Sequence, residues 1–240
     1  MINKAFLFLR ACLFYLVFMG LSAVYAILIA LAVPLPFQAR LTLSRNWSKL
    51  ILISCKYICG LDYEIQGLEN IPQEPVVFLS KHQSAWETII FPGALPPNCF
   101  VFKKSLSKIP FFGWGMALCH NIPVDRDAGI KAFKAVIAMG KQRLSEGLSI
   151  IIFPEGTRVA PKTDAKFFKT AASLAKASEA QVIPIAHNSG SCWRRNSFVK
   201  YPGKITVVIG KPIDIETLST DEINTAAYQW IHETMKVLEK

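Results

Sequence analysis

The sequence predicts an α/β fold, a mixed sheet covered by helices with an apolar membrane anchor at its N-terminus, and three observations carry that prediction. Short apolar runs bounded by Pro and Gly alternate with stretches of helical periodicity, the order of a sheet with helices on its faces. The polar residues richest in chemistry follow directly on those runs, where ligands of open α/β sheets bind. Charge is absent from one end: about 29 residues from Ala11 to Ala39 hold no Asp, Glu, Lys, Arg or His, enough for a tilted span of about 20.

Taken in order, the apolar run ends at Pro34 and Pro36. A cleaved signal peptide is the rival reading, but its apolar core is usually about 7–15 residues, far shorter than this run. Arg40, Arg45, Lys49 and Lys56 follow the run, against Lys4 and Arg10 before it, an excess that places the next domain in the cytoplasm. Residues 1–56 are therefore assigned to the anchor and a basic juxtamembrane segment, and residues 57–240 to a folded domain. Strands are predicted at Tyr63–Gln66, Val76–Leu79, Phe100–Phe102, Ile122–Val124, Ile150–Phe153, Val182–Ile185 and Ile205–Ile209. A helix is predicted from Gly129 to Glu146, where Ile130, Phe133, Ile137 and Leu144 recur at near-helical spacing before Gly147 stops it. An Ala-rich helix follows over Phe167–Ser178, and a third runs from Asp221, capped by Thr220.

Composition narrows the partners. Apolar residues make up 52% of the chain, high for a wholly soluble protein, and the formal net charge is +10. Lys103, Lys104 and Lys108 interleave with Phe100, Phe102, Phe111, Phe112 and Trp114, a mixture suited to an anionic bilayer surface. Nucleic acid is the other use of such a patch. No nucleic-acid-binding motif accompanies it, so membrane lipid is the expected partner. Six cysteines form no C-x-x-C pair and have no His at zinc-ligand spacing, so no metal site is expected and the thiols read as reduced packing residues.

Two segments carry candidate chemistry. Lys81-His-Gln-Ser-Ala-Trp-Glu87 follows the apolar run Val76-Val-Phe-Leu79. Five positions apart on one helix, His82 and Glu87 would diverge by roughly 140°. They converge if His82 lies in the turn and Glu87 in the first turn of the helix, with Ser84 as the cap. A carboxylate on one imidazole nitrogen leaves the other free to take a proton from a hydroxyl. Ser84-x-x-Glu87 is equally a capping box, which needs no chemistry at all. The second segment breaks the run Ser149-Ile-Ile-Ile-Phe153 at Pro154 and enters Glu155-Gly-Thr-Arg158. A Gly-bearing turn with one guanidinium suits an anion such as phosphate, and reads otherwise as a plain turn with a solvated Arg. His187, at a strand end beside Asn188 and Ser189, is read as a hydrogen-bonded structural residue; His120 and His232 carry less still.

With these blocks in order, the chain resembles the 1-acyl-glycerol-3-phosphate acyltransferases of the lysophospholipid and glycerolipid acyltransferase family. His82 and Glu87 match the family's His-x4-acid signature. Phe102-Lys-Lys-Ser-Leu-Ser-Lys-Ile-Pro-Phe-Phe-Gly-Trp114 is similar to its Lys-rich segment, and Ile122-Pro-Val-Asp-Arg126, Phe153-Pro-Glu-Gly-Thr-Arg158 and Val182-Ile-Pro-Ile-Ala-His187 to its later blocks. The likeness spans roughly residues 60 to 210. It implies that His82 is the general base, oriented by Glu87, that lets an acceptor hydroxyl attack an acyl thioester directly, with no covalent acyl-enzyme. It implies phosphate contacts from Lys103, Arg126 and Arg158, and an acceptor site shaped by Glu155, Gly156 and Thr157, with Glu155 near the acceptor's hydroxyls. No cofactor is implied. The donor is acyl-CoA or acyl-ACP, which makes acyl carrier protein a possible partner, and the acceptor 1-acyl-glycerol-3-phosphate, giving phosphatidic acid. Family members have both single spans and two-helix hairpins sunk in one leaflet, and both forms stay open here; the membrane expected is the bacterial inner membrane, the domain facing the cytoplasm.

Two positions depart from the family. Lys81 stands where Asn is usual, setting a cation beside His82 that is expected to disfavour the imidazolium. After the third block, Lys166-Phe-Phe-Lys-Thr-Ala171 replaces the usual Lys followed two residues on by Gly. Both bear on the acceptor more than on the base. Other head groups, such as a lyso-ornithine lipid, therefore stand as alternatives, as do a hydrolase using water and a non-catalytic lipid-binding protein on the same fold.

Overall fold

A seven-stranded mixed sheet organises the chain, seen in a computed structural model that describes residues 3–240. The elements in chain order are α1 (Lys4–Leu31), α2 (Phe37–Ser54), β1 (Leu61–Gln66), β2 (Val77–Ser80), α3 (Trp86–Ala94), β3 (Asn98–Lys103), α4 (Phe112–Leu118), β4 (Ile122–Val124), α5 (Ile130–Ser145), β5 (Ser149–Ile152), α6 (Thr170–Ser178), β6 (Val182–His187), α7 (Ser189–Cys192), β7 (Gly203–Ile209) and α8 (Thr220–Leu238). The strand order is β1-β7-β6-β2-β5-β3-β4, parallel except where β6 meets β7. All seven predicted strands are present.

The central strands are apolar on both faces because helices cover both. Alternation along each strand sorts the core. Val77, Leu79, Ile150, Ile152 and Val182 point to one side, against α5, α6 and α8 through residues such as Leu174, Ile223 and Ile231. Phe78, Ile151, Ile183 and Ile185 point to the other, where Trp86, Ile90 and Phe91 of α3 meet Phe14 of α1 and Ile51 of α2.

Register sets the height of the loops beyond the strands. Leu79 lies opposite Ile152, and Ser80 opposite Ile185. Three adjacent strands therefore deliver His82, Glu155 and His187 at one level.

The N-terminal region is a pair of antiparallel helices. Trp47 Nε1 donates to Ser22 Oγ at 3.2 Å, and Arg10 donates through Nε to the Ile58 carbonyl in the π-helical turn Cys55–Cys59 that ends α2. The helix α1 is long and apolar enough to cross a membrane by length and composition. It lies along the domain: Leu7, Ala11, Phe14, Ala26 and Ile29 are buried, while Leu9, Leu13, Leu16 and Met19 form an exposed apolar face. The helix α2 packs on α3, where Ser48 Oγ donates to the Ile89 carbonyl at 2.5 Å.

Strand ends differ from expectation by one or two residues, and two helix starts differ for an identifiable reason. The Ala-rich helix starts at Thr170 instead of Phe167, because the Phe168 N–H bonds to the Pro154 carbonyl at 2.8 Å and holds Phe167 and Phe168 in the loop. The cap of α8 is Ser219, not Thr220: Ser219 is extended and accepts from the Glu222 N–H, and Glu222 reaches back to the Ser219 N–H in a complete capping box.

Candidate active site

The loop after β2 turns into α3 and brings His82 and Glu87 together. His82 Nδ1 lies 2.8 Å from Glu87 Oε1, and since an ionised carboxylate only accepts, the proton sits on Nδ1 and the lone pair on Nε2. The ring stacks on Phe153, with centroids 3.9 Å apart and planes at 15°, which fixes its orientation.

Glu87 contacts both the imidazole and the start of the helix. Its Oε1 also accepts from the N–H groups of Gln83 and Ser84 at 2.8 and 2.7 Å, and Ser189 Oγ donates to Oε2 at 2.9 Å. Ala85, not the expected Ser84, is the cap of α3: Ser84 Oγ accepts from the Trp86 N–H at 3.1 Å and not from the Glu87 N–H, so only the carboxylate half of the expected capping box is formed, beside the His–Glu contact. Burial pushes the fully buried Glu87 carboxyl up, yet His187, His82 and the Ser84 N–H outweigh it and hold it well below the usual range. Burial pushes His187 itself down. His187 is a structural residue, fully buried and donating from Nε2 to the Lys81 carbonyl at 2.8 Å.

His82 opens onto a cavity of about 690 Å³. Lys103, Arg126, Thr157 and Arg158 line it with His82. The turn after β5 places Gly156 at φ +67°, the left-handed region that favours glycine. Gly156 contributes its carbonyl, which accepts from Arg126. Arg126 is exposed at the cavity edge, and partial desolvation pushes its guanidinium down.

Of the expected acceptor-site residues, Gly156 and Glu155 are absent from the cavity wall, and Glu155 departs furthest. Its side chain is fully buried behind the loop, with Oε1 2.7 Å from Lys81 Nζ. The reason is the register, which aims residue 155 across at the β2 loop instead of out to the cavity. That pairing also answers the cation expected beside His82, since Glu155 neutralises Lys81. Lys169 of the altered block pairs with Asp221 on α8, away from the cavity.

Several lining residues were not singled out by sequence reasoning. Arg195 and Asn196 join the cationic end, Arg195 donating to the Arg158 carbonyl at 2.7 Å. The rest of the cavity is an apolar limb walled by Phe18 and Tyr25 of α1, Leu41 and Trp47 of α2, and Phe112 and Met116 of α4. The basic doublet Arg194-Arg195, just past the fourth block, was the available signal for the first group. Nothing in local spacing points to the second. No cluster of three or more His, Cys, Asp or Glu suited to a metal occurs among the described residues.

Comparison with known proteins bears on this arrangement. The family model described as Acyltransferase matches residues 62–188. The chain is 39% identical to a 1-acyl-sn-glycerol-3-phosphate acyltransferase of Pseudomonas aeruginosa, covering 95% of this chain and 90% of that one. It is 31% identical to the protein of that name from Saccharomyces cerevisiae, covering 72% of this chain and 58% of the yeast protein. Its fold is similar to the crystal structure of the 1-acyl-sn-glycerophosphate acyltransferase PlsC from Thermotoga maritima, with a TM-score of 0.82, 21% identity and 99% of both chains covered.

Proposed function

Because the chain belongs to the acyltransferase family, with 1-acyl-sn-glycerol-3-phosphate acyltransferases as its relatives, and is itself an acyltransferase, we propose that it acylates the free hydroxyl of 1-acyl-glycerol-3-phosphate to give phosphatidic acid. The observation that carries this reading is one cavity in which a base held by a buried carboxylate faces Lys103, Arg126 and Arg158. Three cations suit a phosphomonoester. The apolar limb suits an acyl chain.

The chemistry follows from the tautomer. His82 Nε2 takes the proton of the acceptor hydroxyl as its oxygen bonds to the thioester carbonyl carbon. The carbon–sulfur bond then breaks, and the leaving thiolate takes the proton back from the imidazolium, whose charge Glu87 has stabilised. A thioester is already activated, so holding hydroxyl and carbonyl together in a water-poor pocket is the harder task, and no cofactor is needed. The donor is acyl-CoA or acyl-ACP.

The placement of α1 favours an interfacial anchor over a perpendicular span. Its buried face follows the domain along its length while the opposite apolar face is free, so the two-helix region sinks sideways into one leaflet. Ile109, Phe111, Phe112 and Trp114 are exposed beside α4, which packs on α1, and Lys103, Lys104 and Lys108 accompany them. In this reading the domain sits on the cytoplasmic face of the bacterial inner membrane.

The test is His82→Ala assayed in membranes with long-chain acyl-CoA or acyl-ACP against a panel of lyso-acceptors. Loss of transfer with normal accumulation is expected, together with a wild-type preference for 1-acyl-glycerol-3-phosphate. Wild-type turnover in the variant would refute the base. Preference for another head group would refute the acceptor.

A further inference from the structure

Behind His82, on the side away from the cavity, lies a charge pair that takes no part in the bond changes of the reaction. Lys81 and Glu155 sit 74 positions apart in the chain, yet Nζ and Oε1 are 2.7 Å apart, with side-chain exposures of 8% and 0%. The same Oε1 is the acceptor for the His82 N–H at 3.4 Å. The Lys81 carbonyl is in turn held by His187, and the His82 carbonyl accepts from the Val159 N–H at 2.8 Å. The two loops joined here are the one that carries the base and the one that carries Thr157 and Arg158.

Stability alone is a poor account of this pair. Desolvating two charges offsets much of their attraction, and two apolar side chains would fill the place as well. Glu155 Oε2 has no hydrogen-bond partner, so the carboxylate is only half satisfied. Direction is what an ion pair supplies and an apolar contact does not.

We propose that the buried Lys81–Glu155 pair is a positioning device that fixes the distance between His82 and the cationic seat of Thr157 and Arg158. Lys81 and Glu155 touch neither substrate nor the reacting atoms. They act through the His82 backbone, and the inference rests on His82 being the base. A misplacement of about 1 Å costs on the order of 100-fold in rate, so a shifted loop shows in turnover before it shows in binding.

The experiment measures kcat and acceptor KM, per folded protein in full-length membrane preparations, on the acceptor the wild type uses. The variants are Lys81→Met, Glu155→Gln, the double variant, Lys81→Arg, and His82→Ala as control. Each neutral single variant leaves one buried charge unpaired; the double variant leaves none and keeps the test open if a single variant folds poorly. Expected is a fall in kcat of at least about tenfold in Lys81→Met with KM changed far less. Lys81→Arg recovers most of it, because a second cavity of about 400 Å³ beside Lys81 has room for the larger head. The double variant is no slower than the worse single one, as coupled residues require. Wild-type kcat in Lys81→Met, or losses that multiply in the double variant, would overturn the proposal while an inactive His82→Ala leaves the base in place. An active His82→Ala removes the base and this inference with it.

Discussion

Replacing Glu87 by Gln separates the charge of the orienting group from its geometry. With its amide oxygen at the Oε1 position, Gln still accepts from His82, Gln83 and Ser84, and its NH2 faces Ser189 Oγ, which is able to accept. The tautomer is kept. The lost quantity is the attraction between carboxylate and the imidazolium formed at the transition state. For charges about 4 Å apart at an effective dielectric constant of about 20 this is about 4 kcal/mol, of which a neutral acceptor recovers about 1. The remaining ~3 kcal/mol corresponds to a loss of about 10²–10³-fold in kcat, with KM little changed because neither substrate touches Glu87. Steady-state assay of the variant in membranes reads both. A kcat within fivefold of wild type, or an effect confined to KM, refutes the orienting role. Stability responds to pH in a defined direction. Because the folded pKa of Glu87 is depressed, its contribution is fully present above the unfolded value near 4.3 and is lost as pH falls through the folded one. Acid unfolding of Glu87→Gln lacks that component.

Three further outcomes are expected. Arg158→Ala raises the acceptor KM by about 10–100-fold, the loss of one or two charge-assisted bonds, and leaves the donor KM unchanged; an effect on the donor alone reassigns the residue. Gly93→Ala places a Cβ 2.6 Å from Ser48 Oγ and 3.2 Å from Ser48 Cβ, so α2 must move off α3, and despite a gain of about 1 kcal/mol in helix propensity the net loss is about 1–2 kcal/mol in denaturant unfolding. A stabilised Gly93→Ala refutes the reading of that contact as close-packed. Trp114 is about half exposed, Trp47 of α2 and Trp230 are part-buried, and Trp86 and Trp193 are buried, so brominated anionic lipid vesicles quench the wild-type tryptophan emission, and Trp114→Phe lowers that quenching, leaving a part that Trp47 carries; unchanged quenching takes the α4 region off the bilayer.

The strands were legible because a parallel sheet covered on both faces turns each strand into an uninterrupted apolar run, and Ile150–Ile152 or Val182–Ile185 has no other use for such a run. His82 and Glu87 were legible as a pair because the turn-and-helix geometry that joins them spans six residues. The helix α2 was not, since its Arg, Asn and Lys break the apolar stripe and its burial comes from α1 and α3 together. Glu155 was misplaced for a related reason. From the β5 turn alone, a carboxylate beside Thr157 and Arg158 reads as part of the same seat; only the β2–β5 register turns it toward Lys81.

That register also explains why the departure at position 81 leaves no lone cation beside His82. A lysine added beside His82 on an isolated loop would disfavour the imidazolium that the reaction forms. On these three strands the added cation is delivered level with a glutamate already aimed at the His82 backbone, and the two charges cancel behind the ring. The neutral hydrogen-bonding group usual in the family and the ion pair found here are then two solutions to one requirement, a fixed backbone under His82. Lys81→Asn discriminates between them. Alone it leaves Glu155 buried without its counter-charge and lowers kcat, and combined with Glu155→Gln it restores a neutral, hydrogen-bonded loop and most of the turnover. If the combined variant is as slow as Lys81→Asn alone, neutral hydrogen bonding does not substitute for the pair.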